Sequence, residues 1–158
     1  MVIKILVPLD GSELAAKILP RVEELAKTYQ AQVTLITIGH FSSSIGVLDS
    51  TSEVIKEATT YEKKISERYL KKTVNALQEN GLKVDWVYAE GVPAETIVAY
   101  AGRQNMDLIA IATNGNGRAW IIGSVAEKVA SLATVPVLLL GVMDFKVPPL
   151  KEKYLIGI

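Results

Sequence analysis

The sequence predicts an α/β fold built on a doubly wound parallel sheet. Five short apolar runs of strand length alternate along the chain with four amphipathic helical stretches, and turn residues separate many of these segments. The 158 residues are 49% hydrophobic and 22% charged, which suffices for one globular domain with one core. We therefore expect a single-domain protein with helices on both faces of the sheet.

The first predicted strand covers residues 3–8 and ends at a turn, Asp10-Gly11-Ser12, in which Ser12 is a favourable helix N-cap. A helix should follow, because apolar residues recur on one helical face, namely Leu14, Ile18, Val22, Leu25 and Tyr29. Pro20 should bend this helix, since proline removes a backbone donor. Residues 33–38 form the second predicted strand.

A loop from residue 39 to about residue 50 leads into the longest predicted helix. Its start has the capping-box spacing, Ser50-Thr51-Ser52-Glu53, and Asn80-Gly81 should end it. One continuous apolar stripe is predicted along it, made of Val54, Ala58, Tyr61, Ile65, Tyr69, Leu70, Val74 and Leu77. The third predicted strand covers residues 84–89, and Pro93 then occupies the first turn of the next helix.

The fourth predicted strand covers residues 108–112, and a glycine-rich loop leads from it into a helix over residues 124–133. Val125, Val129 and Leu132 should face inward from this helix. The fifth predicted strand lies at about residues 135–142. The remaining chain contains Pro148-Pro149 and ends in apolar residues, so it is expected to be either frayed or docked on another surface.

Composition and charge exclude several functional classes. Seventeen basic residues balance seventeen acidic ones, so no net field attracts a nucleic acid or an anionic membrane. The absence of cysteine excludes disulfides and thiol catalysis, and the single histidine, His40, excludes a multi-histidine metal site. The N-terminus reads as a strand rather than a signal peptide, and no apolar run approaches a membrane span of roughly 18–20 residues. We expect a soluble, cytoplasmic protein without a metal site.

The glycine-rich loop and the helix after it form the strongest candidate binding site. The loop follows a buried strand at its carboxyl end, where open α/β sheets bind ligands. Unpaired backbone N–H groups at Gly123-Ser124 suit a phosphate. Alternatively, Ser124 and Glu127 form a capping box that serves only the helix. Arg118 in the loop either complements a phosphate or is merely solvated.

Asp10 is the second candidate, because it follows the first strand at the expected switch point of the sheet. Its carboxylate could accept hydrogen bonds from a ribose or a base, or it could be a turn aspartate that bonds to its own backbone. No catalytic residues are predicted: the Walker lysine and the serine nucleophile elbow are absent, and His40 has no acidic partner in motif spacing.

Several segments together resemble the universal stress protein family. They are KILVPLDGS at residues 4–12, GVPAETI at 91–97, DLIAIAT at 107–113, GSVAEKV at 123–129 and VPVL at 135–138. The resemblance covers residues 1–142, and residues 143–158 then form a C-terminal extension, which we expect either to fray or to dock on another surface such as a partner subunit. The family resemblance implies a parallel sheet of order 3-2-1-4-5 and a homodimer paired through the fifth strands.

One branch of that family binds ATP through Gly, two residues, Gly, nine residues, and then Gly followed by Ser or Thr. Gly115 and Gly123-Ser124 match this pattern, whereas Ala112 replaces the first glycine. Seven residues separate Gly115 from Gly123, and a count of nine back from Gly123 ends at Thr113. The two missing residues shorten the maximal reach of the loop by roughly 7 Å.

The resemblance implies that Pro8, Asp10 and Ile38 surround the adenine and the ribose, and that Gly115, Gly123 and Ser124 contact the phosphates. Ala112, Thr113, Arg118 and Val125 complete the candidate set. We therefore expect a regulatory module that binds ATP, AMP or a related adenine nucleotide, with Mg²⁺ held through the phosphates. The alternative is a homodimeric stress-response protein that binds no nucleotide and acts through protein contacts. Hydrolysis of ATP has the least support, because no residue reads as a positioned general base.

Overall fold

The computed structural model describes residues 2–39, 53–113 and 123–141, without the side chains of Leu14 and Ile55. The elements are β1 (Lys4–Pro8), α1 (Glu13–Ala16), α2 (Leu19–Tyr29), β2 (Gln32–Gly39), α3 (Glu53–Glu79), β3 (Lys83–Glu90), α4 (Pro93–Arg103), β4 (Leu108–Ala112), α5 (Ser124–Leu132) and β5 (Val137–Leu140). Five parallel strands form one sheet in the order β3-β2-β1-β4-β5. The predicted fold class and strand order are therefore confirmed.

The centre of the sheet is β1, which pairs with β2 on one side and with β4 on the other. Leu6 stands opposite Thr34 in β2 and opposite Ile109 in β4. At the amino-terminal end of this ladder, the Lys4 backbone N–H donates to Asp107 Oδ2 at 2.8 Å, and the Asp107 N–H donates to the Lys4 carbonyl at 2.8 Å. Residues about 100 positions apart in sequence thus close the middle of the sheet.

Two hydrophobic layers lie on opposite faces of the sheet, because side chains of a strand alternate between its faces. Ile5 and Val7 pack on one side with α1, α2 and α3, whereas Leu6 packs on the other with α4 and α5. These strand side chains are fully buried. The helices on both faces confirm the doubly wound arrangement.

The first predicted helix is two helices rather than one bent helix. Residues 17 and 18 separate α1 from α2, and the Ile18 N–H donates to the Ala15 carbonyl at 3.3 Å in the intervening turn. Pro20 lies in the first turn of α2, where its missing N–H removes no intrahelical hydrogen bond. Val22 is buried as predicted, but Tyr29 is exposed at the end of α2.

The prediction of a single apolar stripe along α3 is wrong. Leu70, Val74 and Leu77 are buried, but Val54, Tyr61 and Ile65 are 73%, 68% and 48% exposed. At about 100° of rotation per residue, the exposed set lies roughly 120–180° around the helix from the buried set. The apolar pattern changes face at Tyr69-Leu70, two consecutive residues that together made the stripe look continuous.

The last two elements also differ in detail from the prediction. Within α5, Val129 is buried, but Val125 and Leu132 are exposed rather than inward-facing. β5 is shorter than the predicted run of residues 135–142, since Pro136 precedes it and its four residues are each half-buried. None of the helices in the described ranges is both long enough and apolar enough to cross a membrane.

Candidate functional site

A cleft opens at the carboxyl edge of the sheet, between β1 and β4. The helix after β1 covers one face of the sheet and the helix after β4 covers the other, so the chain diverges at this point. Such a switch point is where open α/β sheets bind ligands. The cleft has a volume of about 400 Å³. That volume lies within the roughly 300–1,000 Å³ of small-molecule sites.

Apolar side chains form the inner wall of the cleft. Ile36 and Ile38 come from β2, and Ile111 comes from β4. Pro8 at the end of β1 and Ile97 from α4 complete the wall. Ile36, Ile97 and Ile111 are buried in the core layer beneath α4 and α5, so they are held rigidly. A wall of this kind suits a flat apolar ring system.

Asp10 is exposed at the rim of the cleft and also organises the turn after β1. The Ser12 N–H donates to Asp10 Oδ1 at 2.9 Å, and the Ser12 hydroxyl donates to the same oxygen. Ser12 Oγ in turn accepts the Ala15 N–H at 3.1 Å, which confirms Ser12 as an N-cap. Among the described residues, no hydrogen bond uses Asp10 Oδ2. The turn role is therefore present, and one carboxylate oxygen faces no described partner.

The start of α5 is a helix N-terminus without a side-chain cap. Gly123 is the N-cap residue, with φ −63° and ψ 153°, and among the described residues no side chain caps the first turn. The first intrahelical bond runs from the Glu127 N–H to the Gly123 carbonyl at 2.9 Å. Ser124 is the first helical residue and not the cap, so the predicted capping box with Glu127 is wrong. The backbone N–H groups of the first turn suit an anion, and Gly123 and Ser124 line the cleft.

Hydrogen bonds to backbone carbonyls hold the strand ends on both sides of the cleft. The Leu9 N–H donates to the Ile36 carbonyl at 2.8 Å, and the buried Thr37 hydroxyl donates to the Leu9 carbonyl at 2.9 Å. Across the cleft, the Thr113 N–H donates to the Leu140 carbonyl at 2.9 Å. These bonds extend the sheet past the ends of β1 and β4, and they fix the positions from which Asp10 and Thr113 project.

An ion pair joins the first turn of α4 to the middle of α5. Lys128 Nζ contacts Glu95 Oε1, and this hydrogen bond lowers the pKa of the Glu95 carboxyl. Both side chains are about half-exposed, so the pair contributes little to stability and is screened by salt. Its effect is to favour one relative position of the two helix starts beside the cleft.

One model, that of the universal stress protein family, matches residues 1–141. The chain belongs to this family. Among curated members, the universal stress protein YxiE of Bacillus subtilis is 32% identical over 143 residues, covering 86% of this chain and 97% of the relative. The universal stress protein MJ0531 of Methanocaldococcus jannaschii is 33% identical over 138 residues, covering 85% of this chain and 79% of the relative.

Solved structures of universal stress proteins have the same fold. UspA of Lactobacillus plantarum superposes with a TM-score of 0.77 at 22% identity, over 87% of this chain and 97% of that one. A universal stress protein in complex with cAMP superposes with a TM-score of 0.63 at 17% identity, over 90% of this chain and 98% of that one. The universal stress protein of Archaeoglobus fulgidus in complex with dAMP superposes with a TM-score of 0.58 at 20% identity, over 88% of this chain and 97% of that one.

This universal stress protein brings most of its predicted site residues together. One cleft is lined by Pro8, Asp10, Ile38, Ala112, Thr113, Gly123, Ser124 and Val125. Gly115 and Arg118 lie outside the described residues, as do His40 and the C-terminal extension 143–158. No group of three histidine, aspartate or glutamate side chains in the described ranges is arranged to hold a metal ion.

Other lining residues were not predicted as site residues, and two signals in the sequence could have found them. Ile36 lies two positions before Ile38 in the same strand, so the two side chains share a face. Pro93 and Ile97 belong to the helix that begins at the carboxyl end of β3, the same edge as the cleft. Leu9, Ser12, Ala15, Ile111 and Ala126 complete the set.

Tyr69 on α3 carries a buried hydroxyl for which no residue in the described ranges is a hydrogen-bond partner. Burial is the main cause that raises the pKa of this phenol above its ordinary value, and the negative charge of Asp10 adds to the increase. The nearby Thr73 side chain lowers the pKa in part, although it does not reach hydrogen-bond geometry. The Thr73 hydroxyl instead donates to the Tyr69 backbone carbonyl at 2.8 Å. Tyr69, which packs against the core layer beneath α1, α2 and α3, therefore loses its phenol proton only at a higher pH than a free tyrosine does.

Tyr69→Phe is expected to leave the free energy of unfolding at neutral pH unchanged or raised, because it removes a buried, unpaired hydroxyl. A raised pKa in the folded state means that stability is intact below the unfolded pKa of about 10 and is lost as the pH rises through the folded value. The variant should lose less stability than the native chain between neutral pH and pH values above about 10, measured by urea unfolding. A variant that is destabilised at neutral pH would show that the hydroxyl is bonded.

Proposed function

We propose that this universal stress protein is a regulatory module that binds an adenine nucleotide, such as ATP or AMP, in the cleft between β1 and β4. One observation carries the proposal: the cleft combines an apolar wall, the Asp10 carboxylate and the uncapped start of α5. The wall fits the base, the carboxylate fits the ribose hydroxyls, and the helix start fits a phosphate. A nucleotide is the ligand class that carries all three groups.

The relatives support this proposal. Two universal stress proteins of the same fold have been solved in complex with cAMP and with dAMP. For Mg²⁺, we propose that the ion enters with the phosphates of ATP, because Mg²⁺ commonly combines substrate phosphates with water and few carboxylates. Asp10 is the one acidic residue among the described residues that line the cleft. Since Oδ1 is engaged in the turn and the proposal assigns the other oxygen to the ribose, no acidic group among these lining residues is left to act as a general base, and hydrolysis of the nucleotide has little support.

The test is direct measurement of nucleotide in the full-length protein. Freshly purified protein is denatured, and its supernatant is analysed by mass spectrometry for released adenine nucleotides. Isothermal titration calorimetry of nucleotide-free protein then compares Mg-ATP, AMP and cAMP with inorganic triphosphate. We expect the nucleotides to bind and triphosphate to bind weakly, because it lacks the groups that the wall and Asp10 contact. Absence of both released nucleotide and binding heat would refute the proposal and favour the alternative, a module that acts through protein contacts.

We also propose that the protein is a cytoplasmic homodimer joined through β5. This strand is an edge of the sheet, paired on one side with β4. The bonds from the Ile109 N–H to Pro136 and from the Thr113 N–H to Leu140 place the carbonyls of residues 136 and 140 on the β4 side. Strand alternation then puts the backbone groups of Val137 and Leu139 on the open side, where a second copy can pair.

Leu139→Pro is expected to convert the dimer to a monomer. Proline removes the outward N–H of residue 139 without removing a bond to β4, so the sheet itself stays intact. Light scattering coupled to size-exclusion chromatography measures the mass. Leu139→Ala is the matched control, since it loses comparable side-chain packing but keeps the N–H. If both variants remain dimers of native mass, the dimer interface does not include the β5 edge.

A further inference from the structure

The first half of α3 has its apolar and polar residues reversed. Val54, Ala58, Tyr61 and Ile65 are exposed on one face, which we call the outer stripe. On the opposite face, charged and polar residues lie against the body of the protein. Lys63 Nζ, for example, lies 6.0 Å from the centroid of the Tyr88 ring of β3. Ser66 and Glu67 are half-buried on this side. A helix face that is in contact with water is ordinarily polar, whereas this one is apolar. The outer stripe is therefore a surface that another segment can cover.

The size of the outer stripe limits what can cover it. Three large side chains, partly exposed, offer at most a few hundred Å², since even a fully buried aromatic side chain contributes about 150–250 Å². A stable contact between separate proteins buries roughly 800 Å² on each partner. A second copy therefore gains too little from this stripe alone. A tethered segment needs less area, because its effective concentration is on the order of millimolar.

The sequence supplies such a segment after β5. The described chain reaches Gly141 at the carboxyl edge of the sheet, the edge at which α3 begins, and the sequence continues to residue 158 with the apolar end Tyr154-Leu155-Ile156-Gly157-Ile158. These residues lie beyond residue 141, where the match to the family ends. Five extended residues span about 16 Å. The outer stripe, from Val54 to Ile65, has a matching length of about 16 Å along the helix.

The connection is also long enough. β5 and β3 are four strand spacings apart, or about 19 Å, and the outer side of α3 stands about 15–20 Å from the sheet. The straight path is therefore just under 30 Å. Residues 142–153 span up to about 40 Å when extended. The segment can reach the stripe of its own chain with slack to spare.

We propose that the C-terminal residues 154–158 dock on the outer stripe of α3 in the same chain, so that the extension crosses the carboxyl edge of the sheet. This differs from the expectation that the extension docks on a partner subunit. The docking buries the three exposed apolar side chains of the stripe. It also joins β5 to the helix over β3, and so links the two edges of the sheet.

Cysteine trapping in the full-length chain tests the proposal, because the protein contains no cysteine of its own. Ala58→Cys is combined with Gly157→Cys, so that the three large apolar side chains of the stripe and all those of the segment are kept. Under mild oxidation we expect a disulfide within one chain, at a rate independent of protein concentration and about tenfold above the control pair. Peptide mass spectrometry identifies the bond.

The control pair is Thr60→Cys with Gly157→Cys. Thr60 is also exposed and lies one half-turn around α3, on the other side from Ala58. Adding Tyr61→Ser and Ile65→Ser to the Ala58 pair should lower its rate to that of the control. Equal rates for the two pairs would overturn the proposal, because they would indicate an extension with no preferred site. Disulfides mainly between chains would overturn it in favour of a second copy.

Discussion

Replacing Gly123 with leucine is expected to abolish nucleotide binding while leaving the protein folded. Gly123 is buried, lines the cleft and is the N-cap of α5. Its φ of −63° is an ordinary value for any residue, so the substitution introduces no backbone strain. A leucine side chain at the helix start competes with a phosphate for the same N–H groups. We expect affinity to fall by at least about 100-fold, or roughly 2.7 kcal/mol, in calorimetric titration.

The matched control for this variant is Gly102→Leu. Gly102 lies in α4, is exposed, and has no atom within 4 Å of the position of an added Cβ. It lies near the C-terminal end of α4, away from the cleft at the start of that helix. This control should bind nucleotide as the native chain does. If Gly123→Leu keeps native affinity and a native melting temperature, the phosphates are not held at the start of α5.

Leu70→Ala is expected to lower the free energy of unfolding by about 2–5 kcal/mol, the usual cost of a large-to-small change in a core. Leu70 is fully buried where α3 packs on the sheet. Urea denaturation followed by circular dichroism measures the change, and an unchanged m-value would show that the fold is retained.

Tyr61→Ala is the companion variant on the other face of α3. Although tyrosine is larger than leucine, this substitution should cost less than about 1 kcal/mol, because the side chain is mostly exposed and makes at most the contacts of a docked segment. Comparing the loss in free energy of unfolding between the two variants tests whether the apolar side chains of the first half of α3 face away from the core. A cost for Tyr61→Ala as large as that for Leu70→Ala would mean that the first half of α3 packs with its apolar face toward the core.

The sequence predicts the strands of this protein well and the helix faces less well. β1 and β4 are short apolar runs with a turn or a glycine-rich loop after them, and their bounds were predicted to within a residue. The strand order was implied by the family resemblance, since no local pattern determines which strands become neighbours. In α3, periodicity gives the angle between residues but not the direction of the sheet. The first half was therefore assigned to the wrong side.

Smaller errors arose where one backbone angle decides the outcome. Pro20 is compatible with a bent helix or with the start of a new one, and the turn at residues 17–18 selects the second. Ser124 has the spacing of a capping residue, but the chain enters the helix one residue earlier, at Gly123. In the candidate site, Asp10 and Gly123-Ser124 follow from their positions after strands. Ile97 lies a full turn further into its helix, so the sequence places it at the correct edge of the sheet, but its place in the cleft also depends on where α4 crosses the sheet.

The central ladder has a consequence for how this protein is made. β1 is synthesised about 100 residues before its neighbour β4, which begins at Leu108, and Lys4 bonds to Asp107 across 103 positions of sequence. During translation, β1 and β2 can pair early, but the other side of β1 stays open until β4 has also left the ribosome. The cleft between β1 and β4 is therefore among the last features to form. A ligand that binds in the cleft therefore stabilises only those molecules in which β4 has already paired with β1.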